Sequence, residues 1–431
     1  MMQKLRRKAF WISDRLKGSS VKKHYEEISQ SLGKNNKQQT SQSSENKIRT
    51  LLDHAITTTD FYSELDKDSV LNDFLVVDKT QIKNQFEAFV SSSYSLHECI
   101  PAVTSGSTGT PFKVYHNRDK KNRNTADTLY FANKAGYELG QRLYYFKIWN
   151  EINKKSWYAD YFQNLVAVDV MDQSDQFFGR LIDEINRDES EKSFLGYASA
   201  YEAMCKYLDH EGVKKITSNV KSIIAMSEAL NSYTKTSMEK YFGCQVVSRY
   251  SNVENGILAQ QEKGEDETFS LNTASYYFEV LEIGGNRPVP SGEPGRIVIT
   301  DLYNYAMPMI RYDTGDIGIL DKNELGEIVL KKVEGRRMDM IFDTNGKLVS
   351  SFVITNNMWK YEKIKQYQFV QESKNSYCFK INSNDKFHRE NELIHEFSGY
   401  FGSNAKIRVE YVNEIPLLSS GKRKKVVNNW K

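Results

Sequence analysis

The chain has 431 residues, 39% hydrophobic and 12% aromatic, enough to bury a sizeable core; at roughly 150 residues per domain it suggests two or three domains. A net charge of +3 gives no strong pull towards nucleic acid or an acidic membrane, and no run approaches the roughly 18 apolar residues of a membrane span. Cys99, Cys205, Cys244 and Cys378 have neither metal-ligand spacing nor the density of a disulfide framework. The expectation is a cytoplasmic protein with reduced, buried thiols, no nucleic-acid partner and no integral membrane segment.

In chain order, residues 1–32 read as helix. The basic start is followed by only a short apolar patch, Ala9-Phe10-Trp11-Ile12, too brief for a secretory leader. Residues 33–44 are Asn-, Gln- and Ser-rich with no apolar anchor, and read as a loop. Helical spacing resumes at Ile48, Leu51, Leu52 and Ala55. From Val103 onwards short β-rich runs alternate with longer helical ones. Residues 222–226 and 245–250 are buried-type strands, the first followed by a helix and the second by a loop. This rhythm predicts an α/β architecture. After Gly335 the pattern changes to strands at 366–371, 377–381 and 406–412 with a helix at 391–400, a compact α+β unit. The predicted division is a large multi-sheet N-terminal domain, 1–335, and a small C-terminal domain, 336–431.

Five segments carry candidate chemistry. Thr104-Ser105-Gly106-Ser107-Thr108-Gly109-Thr110-Pro111 combines glycines, which let backbone N–H groups turn towards an anion, with hydroxyl donors. Together these make a phosphate nest, though a flexible turn has the same composition. It lacks the Gly-Lys-Ser/Thr end of a Walker A loop. Arg249-Tyr250-Ser251-Asn252-Val253-Glu254 places a carboxylate just past a strand end, where α/β proteins bind ligands. There Glu254 would hold Mg²⁺ with phosphates and water, or stand as solvated surface. Gly292-Glu293-Pro294-Gly295-Arg296 leads a buried strand to Thr300, and Arg311-Tyr312-Asp313-Thr314-Gly315-Asp316 ends another. A carboxylate on a glycine turn suits two ribose hydroxyls; a structural Asx turn is the plain alternative. Glu334-Gly335-Arg336-Arg337-Met338-Asp339 marks the domain boundary. Ser419-Ser420-Gly421-Lys422-Arg423-Lys424-Lys425 is either a basic tail or a shaped loop presenting Lys422.

The order of these segments resembles that of the adenylate-forming superfamily of acyl-CoA synthetases, peptide-synthetase adenylation domains and luciferases. Within it the chain is most similar to the phenylacetate–coenzyme A ligase group and its capsular-polysaccharide, CapK-like branch. Leu51-Leu52-Asp53-His54-Ala55, Phe61-Tyr62 and Phe74-Leu75-Val76-Val77-Asp78-Lys79 support the branch.

The resemblance implies that Thr104, Ser105, Gly106, Ser107, Thr108 and Gly109 close over ATP phosphates. It makes Ser227, Glu228 and Ala229 the adenine-binding strand end, with Tyr250 stacking on the base and Ser251 beside it. It gives Glu254 to Mg²⁺, Asp316 to the ribose, and Arg336 to the ribose or phosphate. Lys422 becomes the lysine that a mobile C-terminal lid inserts during adenylation. Val253 stands where the family has Thr or Ser, and Met338 where many relatives have Asp, so the lid's second pose is open. The implied reaction joins a carboxylate to AMP with release of pyrophosphate, then transfers the acyl group to coenzyme A. The alternative acceptor is an amine or hydroxyl, such as an amino sugar of a surface polysaccharide. Other readings are a nucleotide-binding relative without catalysis and a basic nucleic-acid binder. ATP and Mg²⁺ are the implied cofactors; zinc is not expected, because no cysteines cluster. The carboxylate and the oligomeric state, a homodimer included, stay open.

Overall fold

The computed structural model describes residues 2–33, 37–104, 112–149, 157–264, 267–336, 340–349, 352–355, 357–361, 363–383, 387–416 and 423–430. The chain opens on helices α1 (Met2–Leu16), α2 (Ser20–Ser31) and α3 (Lys37–Thr58). Gly18 at φ 95° and Ser19 at φ 59° break the expected first helix in two. The predicted 33–44 loop is corrected: α3 already begins at Lys37. Its Lys, Gln and Ser run contains neither proline nor glycine, so the anchored part from Ile48 onwards can extend backwards through it. A short helix α4 (Lys79–Asn84) follows, capped by Asp78, whose Oδ1 accepts the Gln81 amide at 2.8 Å.

Strands β1 (Ile100–Thr104) and β2 (Phe112–His116) form an antiparallel pair. Beyond helix α5 (Arg118–Lys134) comes the parallel half of the central sheet. It contains β3 (Arg142–Lys147), helix α6 (Trp157–Gln163), β4 (Leu165–Asp169), helix α7 (Asp175–Arg187), β5 (Lys192–Tyr197), helix α8 (Ala198–His210), β6 (Val220–Met226), helix α9 (Ser232–Phe242) and β7 (Val246–Asn252). The antiparallel half is β8 (Gly256–Gln261), β9 (Phe269–Leu271), β10 (Tyr276–Leu281), β11 (Pro294–Asp301), β12 (Tyr312–Lys322) and β13 (Ile328–Arg336). Together they make an eleven-stranded sheet in the order β10-β11-β12-β13-β9-β8-β7-β6-β5-β3-β4.

Periodicity explains how this sheet is covered. In α7, Phe178, Leu181, Ile182 and Ile185 fall at helical spacing and are buried, while Ser174 caps the first turn by accepting the Phe177 amide at 3.2 Å. They join Tyr144, Phe146, Phe194 and Ile223 in one core. The opposite face meets α5 through Ala132, Ala135, Ile224 and Val247. A second core gathers Leu51, Leu52, Tyr62 and Phe74 from the N-terminal segments with Ile297, Ile299, Met309 and Tyr312. Segment 70–78 is stitched to the start of β12: the Val77 amide donates to the Arg311 carbonyl at 3.1 Å, and the Asp313 amide donates to the Val77 carbonyl at 2.8 Å.

The sheet changes character at β7, which runs parallel to β6 and antiparallel to β8. In α/β sheets such a junction opens a crevice at the strand ends.

The C-terminal part has its own core of Phe369, Tyr377, Phe379, Leu393, Phe397 and Phe401. A hairpin of β14 (Ile341–Phe342) and β15 (Leu348–Val349) and helix α10 (Phe352–Thr355) precede β16 (Ile364–Gln371), β17 (Ser376–Ser383), helix α11 (Glu390–Phe401), β18 (Lys406–Tyr411) and β19 (Val426–Asn428). The four-stranded order is β18-β17-β16-β19. Residues 423–428 are therefore not a loose basic tail, since β19 pairs in parallel with β16.

Candidate active site

The end of β7 is shaped by its own polar residues. Register slips between Tyr250 and Ser251, a bulge that re-aims side chains next to the turn. Asn252 Oδ1 then accepts the Asn255 amide at 2.8 Å, an Asx turn that sends the chain into β8. Glu254 sits in this turn and is buried. Its Oε1 accepts the Tyr312 hydroxyl at 2.9 Å, and its carbonyl accepts His116 Nε2–H at 2.7 Å. Burial, and next the charge of Lys120, pushes His116 down to about 4. The ring is neutral at pH 7, and the carbonyl partner fixes its proton on Nε2.

The start of β12 supplies the facing half. Gly315 takes φ 80°, a conformation that favours glycine, and its amide donates to Asp313 Oδ1 at 2.9 Å. Thr314 Oγ1 donates to the Ile297 carbonyl at 2.9 Å and accepts the Asp316 amide at 3.2 Å. Asp316 Oδ2 accepts the Tyr250 hydroxyl at 2.7 Å. Tyr250, Glu254, Tyr312 and Asp316 thus form one cluster, two carboxylates each answered by a phenol. Burial first, and then the adjacent carboxylates, push both tyrosines far above their ordinary range, so they stay protonated donors. The backbone of Arg336 pairs opposite Asp316 across β12 and β13. The turn is clamped by two buried ion pairs: Arg296 meets Asp313 at 2.5 Å, and Arg311 meets Glu279 with bonds of 3.1 and 2.8 Å. The two-pronged geometry holds better than a single contact.

Thr104 ends β1, pairs with Phe112, and accepts Lys79 Nζ at 3.2 Å through Oγ1. Ser227 and Ala229 are exposed beyond β6, with Ser227 at φ 69°. Glu228 Oε2 accepts the Ser199 amide at 2.9 Å, near the start of α8. Ser251 is half-buried on β7. Ser105, Gly106, Ser107, Thr108, Gly109 and Lys422, and the side chain of Arg336, lie outside the described residues.

The C-terminal part touches the large one beside this edge. Lys425 Nζ donates to Glu202 Oε2 on α8 at 3.3 Å and lies over the Tyr367 ring at 5.4 Å. Burial would raise the Glu202 carboxyl, but Lys425 and Lys206 outweigh it and hold it at about 2. Burial would likewise lower Lys425, but Glu202 and then Tyr367 and Glu228 push it well above the usual lysine range.

Sequence reasoning missed three contributors. Tyr312 lies inside a quoted motif, and the burial expected of a strand's first residue was a usable signal. His116 carries no local signal, and Lys425, though inside the quoted basic segment, gives no sign of its partner; those partners lie 138 and 223 residues away.

A metal has a restricted fit here. Among the described residues, no group of three His, Cys, Asp or Glu gathers to hold one. Tyr312 engages Oε1 of Glu254; the carboxylate's other oxygen, Oε2, suits an Mg²⁺ that takes its remaining ligands from phosphates and water.

This sheet, with its switch from parallel to antiparallel pairing at β7, and the small appended domain have the fold of the adenylate-forming ligases. The chain aligns with 2-hydroxyisobutyryl-CoA ligase in its postadenylation state with 2-HIB-AMP at a TM-score of 0.72 and 16% identity, covering 92% of this chain and 90% of that one. The same ligase in its thioesterification state, with 2-HIB-AMP and CoA, gives 0.60 at 17% identity, covering 92% and 91%. ATP-bound MatB from Rhodopseudomonas palustris gives 0.56 at 15%, covering 79% and 69%. More particularly, residues 341–429 match the family model of the CapK C-terminal domain. Protein CapK of Staphylococcus aureus is 24% identical over 399 residues, 86% of each chain. The chain is thus CapK-like in sequence and carries the adenylate-forming fold. No helix among the described residues is long and apolar enough to cross a membrane.

Proposed function

We propose that this chain activates a carboxylic acid with ATP. A carboxylate oxygen attacks the α-phosphorus, the bond to pyrophosphate breaks, and an acyl-adenylate forms. The observation that carries the reading is the union of two distant motifs in one cluster: Tyr250 bound to Asp316, Tyr312 bound to Glu254, and the Arg336 backbone opposite Asp316. In that role Asp316 accepts the ribose hydroxyls, and Thr104 to Gly109 receive the phosphates. Glu254 holds Mg²⁺, which supplies charge neutralisation at the phosphates. Tyr312 and His116 keep Glu254 oriented. Lys422 neutralises charge that develops at the α-phosphate in the transition state. A carboxylate nucleophile is already ionised at pH 7, so no general base is needed.

The preferred second half-reaction is attack of coenzyme A sulfur on the acyl carbon, with AMP leaving. The better superposition on a postadenylation state than on a thioesterification state supports a lid posed for adenylation. The CapK C-terminal match favours a second acceptor, the amine or hydroxyl of an amino sugar in surface-polysaccharide synthesis. A cytoplasmic location fits either. Exchange of labelled pyrophosphate into ATP, driven by a panel of carboxylic acids, tests the adenylation. Exchange that rises above background with at least one acid is the expected result. ATP binding with no exchange for any acid would favour a relative without catalysis.

A further inference from the structure

Arg249 is the last residue before Tyr250 on β7 and is 7% exposed. By strand alternation it shares a face with Val247, which packs towards α5. Among the described residues its Nε donates to Gln260 Oε1 at 2.8 Å, and its Nη2 is buried with no hydrogen-bond partner. No ion pair reaches it among the described residues, although most of the other buried cations of the chain have one, as in Lys120–Asp301 and Arg296–Asp313. Gln260 is held in turn by donating to the Phe131 carbonyl at 2.7 Å, so the guanidinium is aimed by a braced partner.

Its surroundings are phenolic and soft rather than acidic. Tyr145, on β3, is near enough to act on it electrostatically, and among the described residues the Tyr145 hydroxyl donates only to Met226 Sδ, at 4.0 Å. A buried guanidinium without an anion is costly, and an orphaned donor of this kind calls for a ligand. The group that best answers a planar fork is a carboxylate. Arg249 also lies five positions before Glu254, on the strand that leads to the nucleotide edge. It is therefore set back from the reacting end, where the far end of an acid would reach.

We infer that Arg249, with the Tyr145 hydroxyl beside it, is a subsite for a second carboxylate, so that the acid activated here is a dicarboxylate rather than a simple fatty or aromatic monoacid. The inference rests on the adenylation reading and names its substrate class. One carboxylate reacts at the α-phosphate, and the other is bound by the guanidinium and stays unreacted.

The test pairs each diacid with the monoacid of equal carbon count: malonate with propionate, succinate with butyrate, glutarate with valerate, adipate with hexanoate. Pyrophosphate exchange and calorimetric binding are read for the wild type, Arg249→Met and Arg249→Lys. The expected result is a diacid preferred over its partner. Arg249→Met should lower that preference by about 10- to 100-fold, and Arg249→Lys, which keeps the charge but not the fork, should lower it less. Exchange driven by monoacids alone overturns the diacid assignment and leaves adenylation standing. No exchange with any acid, but diacid binding that is lost in Arg249→Met, keeps the subsite and overturns adenylation. Diacid binding that is absent, or unchanged in Arg249→Met, overturns the subsite.

Discussion

Lys120 and Arg249 are both buried cations of the large domain. Lys120 is fully buried and is met by Asp301 Oδ2 at 2.6 Å and by the Tyr276 hydroxyl at 3.0 Å. The Tyr276 hydroxyl donates in turn to the Asn255 carbonyl at 2.7 Å, beside Glu254. Arg249, on β7, is met among the described residues only through Nε. In the first region every charge has been answered by the chain itself, and the result is a rigid floor beneath the Glu254 turn. In the second the chain has left donors over. Burial alone does not separate structural from functional charge; the state of the partners does.

Lys120→Met leaves Asp301 buried without its partner and should cost about 3–5 kcal/mol in chemical denaturation. A loss under about 1 kcal/mol would mean that the floor is not held by this pair.

Lys422→Ala is expected to lower the rate of acyl-adenylate formation by about 10²–10³-fold, with ATP affinity nearly unchanged, because the charge acts in the transition state. Calorimetry with ATP and a single-turnover assay separate the two effects. An unchanged rate would remove this lysine from the mechanism.

Asp316→Ala should weaken ATP and AMP binding by about 1–3 kcal/mol. Unaltered affinity in a folded protein would reduce Asp316 to a structural acceptor for Tyr250.

Glu202→Gln tests the contact between the two parts of the chain. The paired side chains keep 29% and 11% exposure, so solvent screens them and the contact is worth on the order of 1 kcal/mol. Glu202 is held at about 2, below its ordinary 4.5. Its contribution is therefore complete above pH 4.5 and fades as pH falls towards 2. Faster proteolysis between the two parts in the variant at pH 7, and in the wild type only at acid pH, is the expected pattern.

Arg249→Met removes an unanswered charge but frees Gln260 Oε1, and the two terms offset. Stability should stay within about 1 kcal/mol of wild type. A loss as large as that of Lys120→Met would show that Arg249 is structural after all.

Much of this architecture was legible because it is local. Runs of the buried-strand type marked β6 and β7, the motifs marked both halves of the cluster, and the change of pattern after Gly335 falls at the end of β13. What stayed hidden is the pairing of remote residues. Tyr312 and Glu254 are 58 residues apart, and nothing local in either segment demands that one answer the other. The early start of α3 was hidden for a different reason: its polar turns have no apolar face of their own, so periodicity is silent there. Tyr144 and Phe146 are core, and by strand alternation Tyr145 between them points to the other face.

The stitch between segment 70–78 and β12 bears on how the molecule can be dissected. Arg311, held at φ 49°, offers its guanidinium to the Phe74 carbonyl at 3.1 Å and its own carbonyl to the Val77 amide. The turn that carries Asp316 thus leans on residues that precede all five segments of candidate chemistry. A fragment cut at β1 would contain all five of those segments and yet lose one wall of the turn that holds Asp316. Any modular swap or split version of this protein must keep its seam upstream of Phe74.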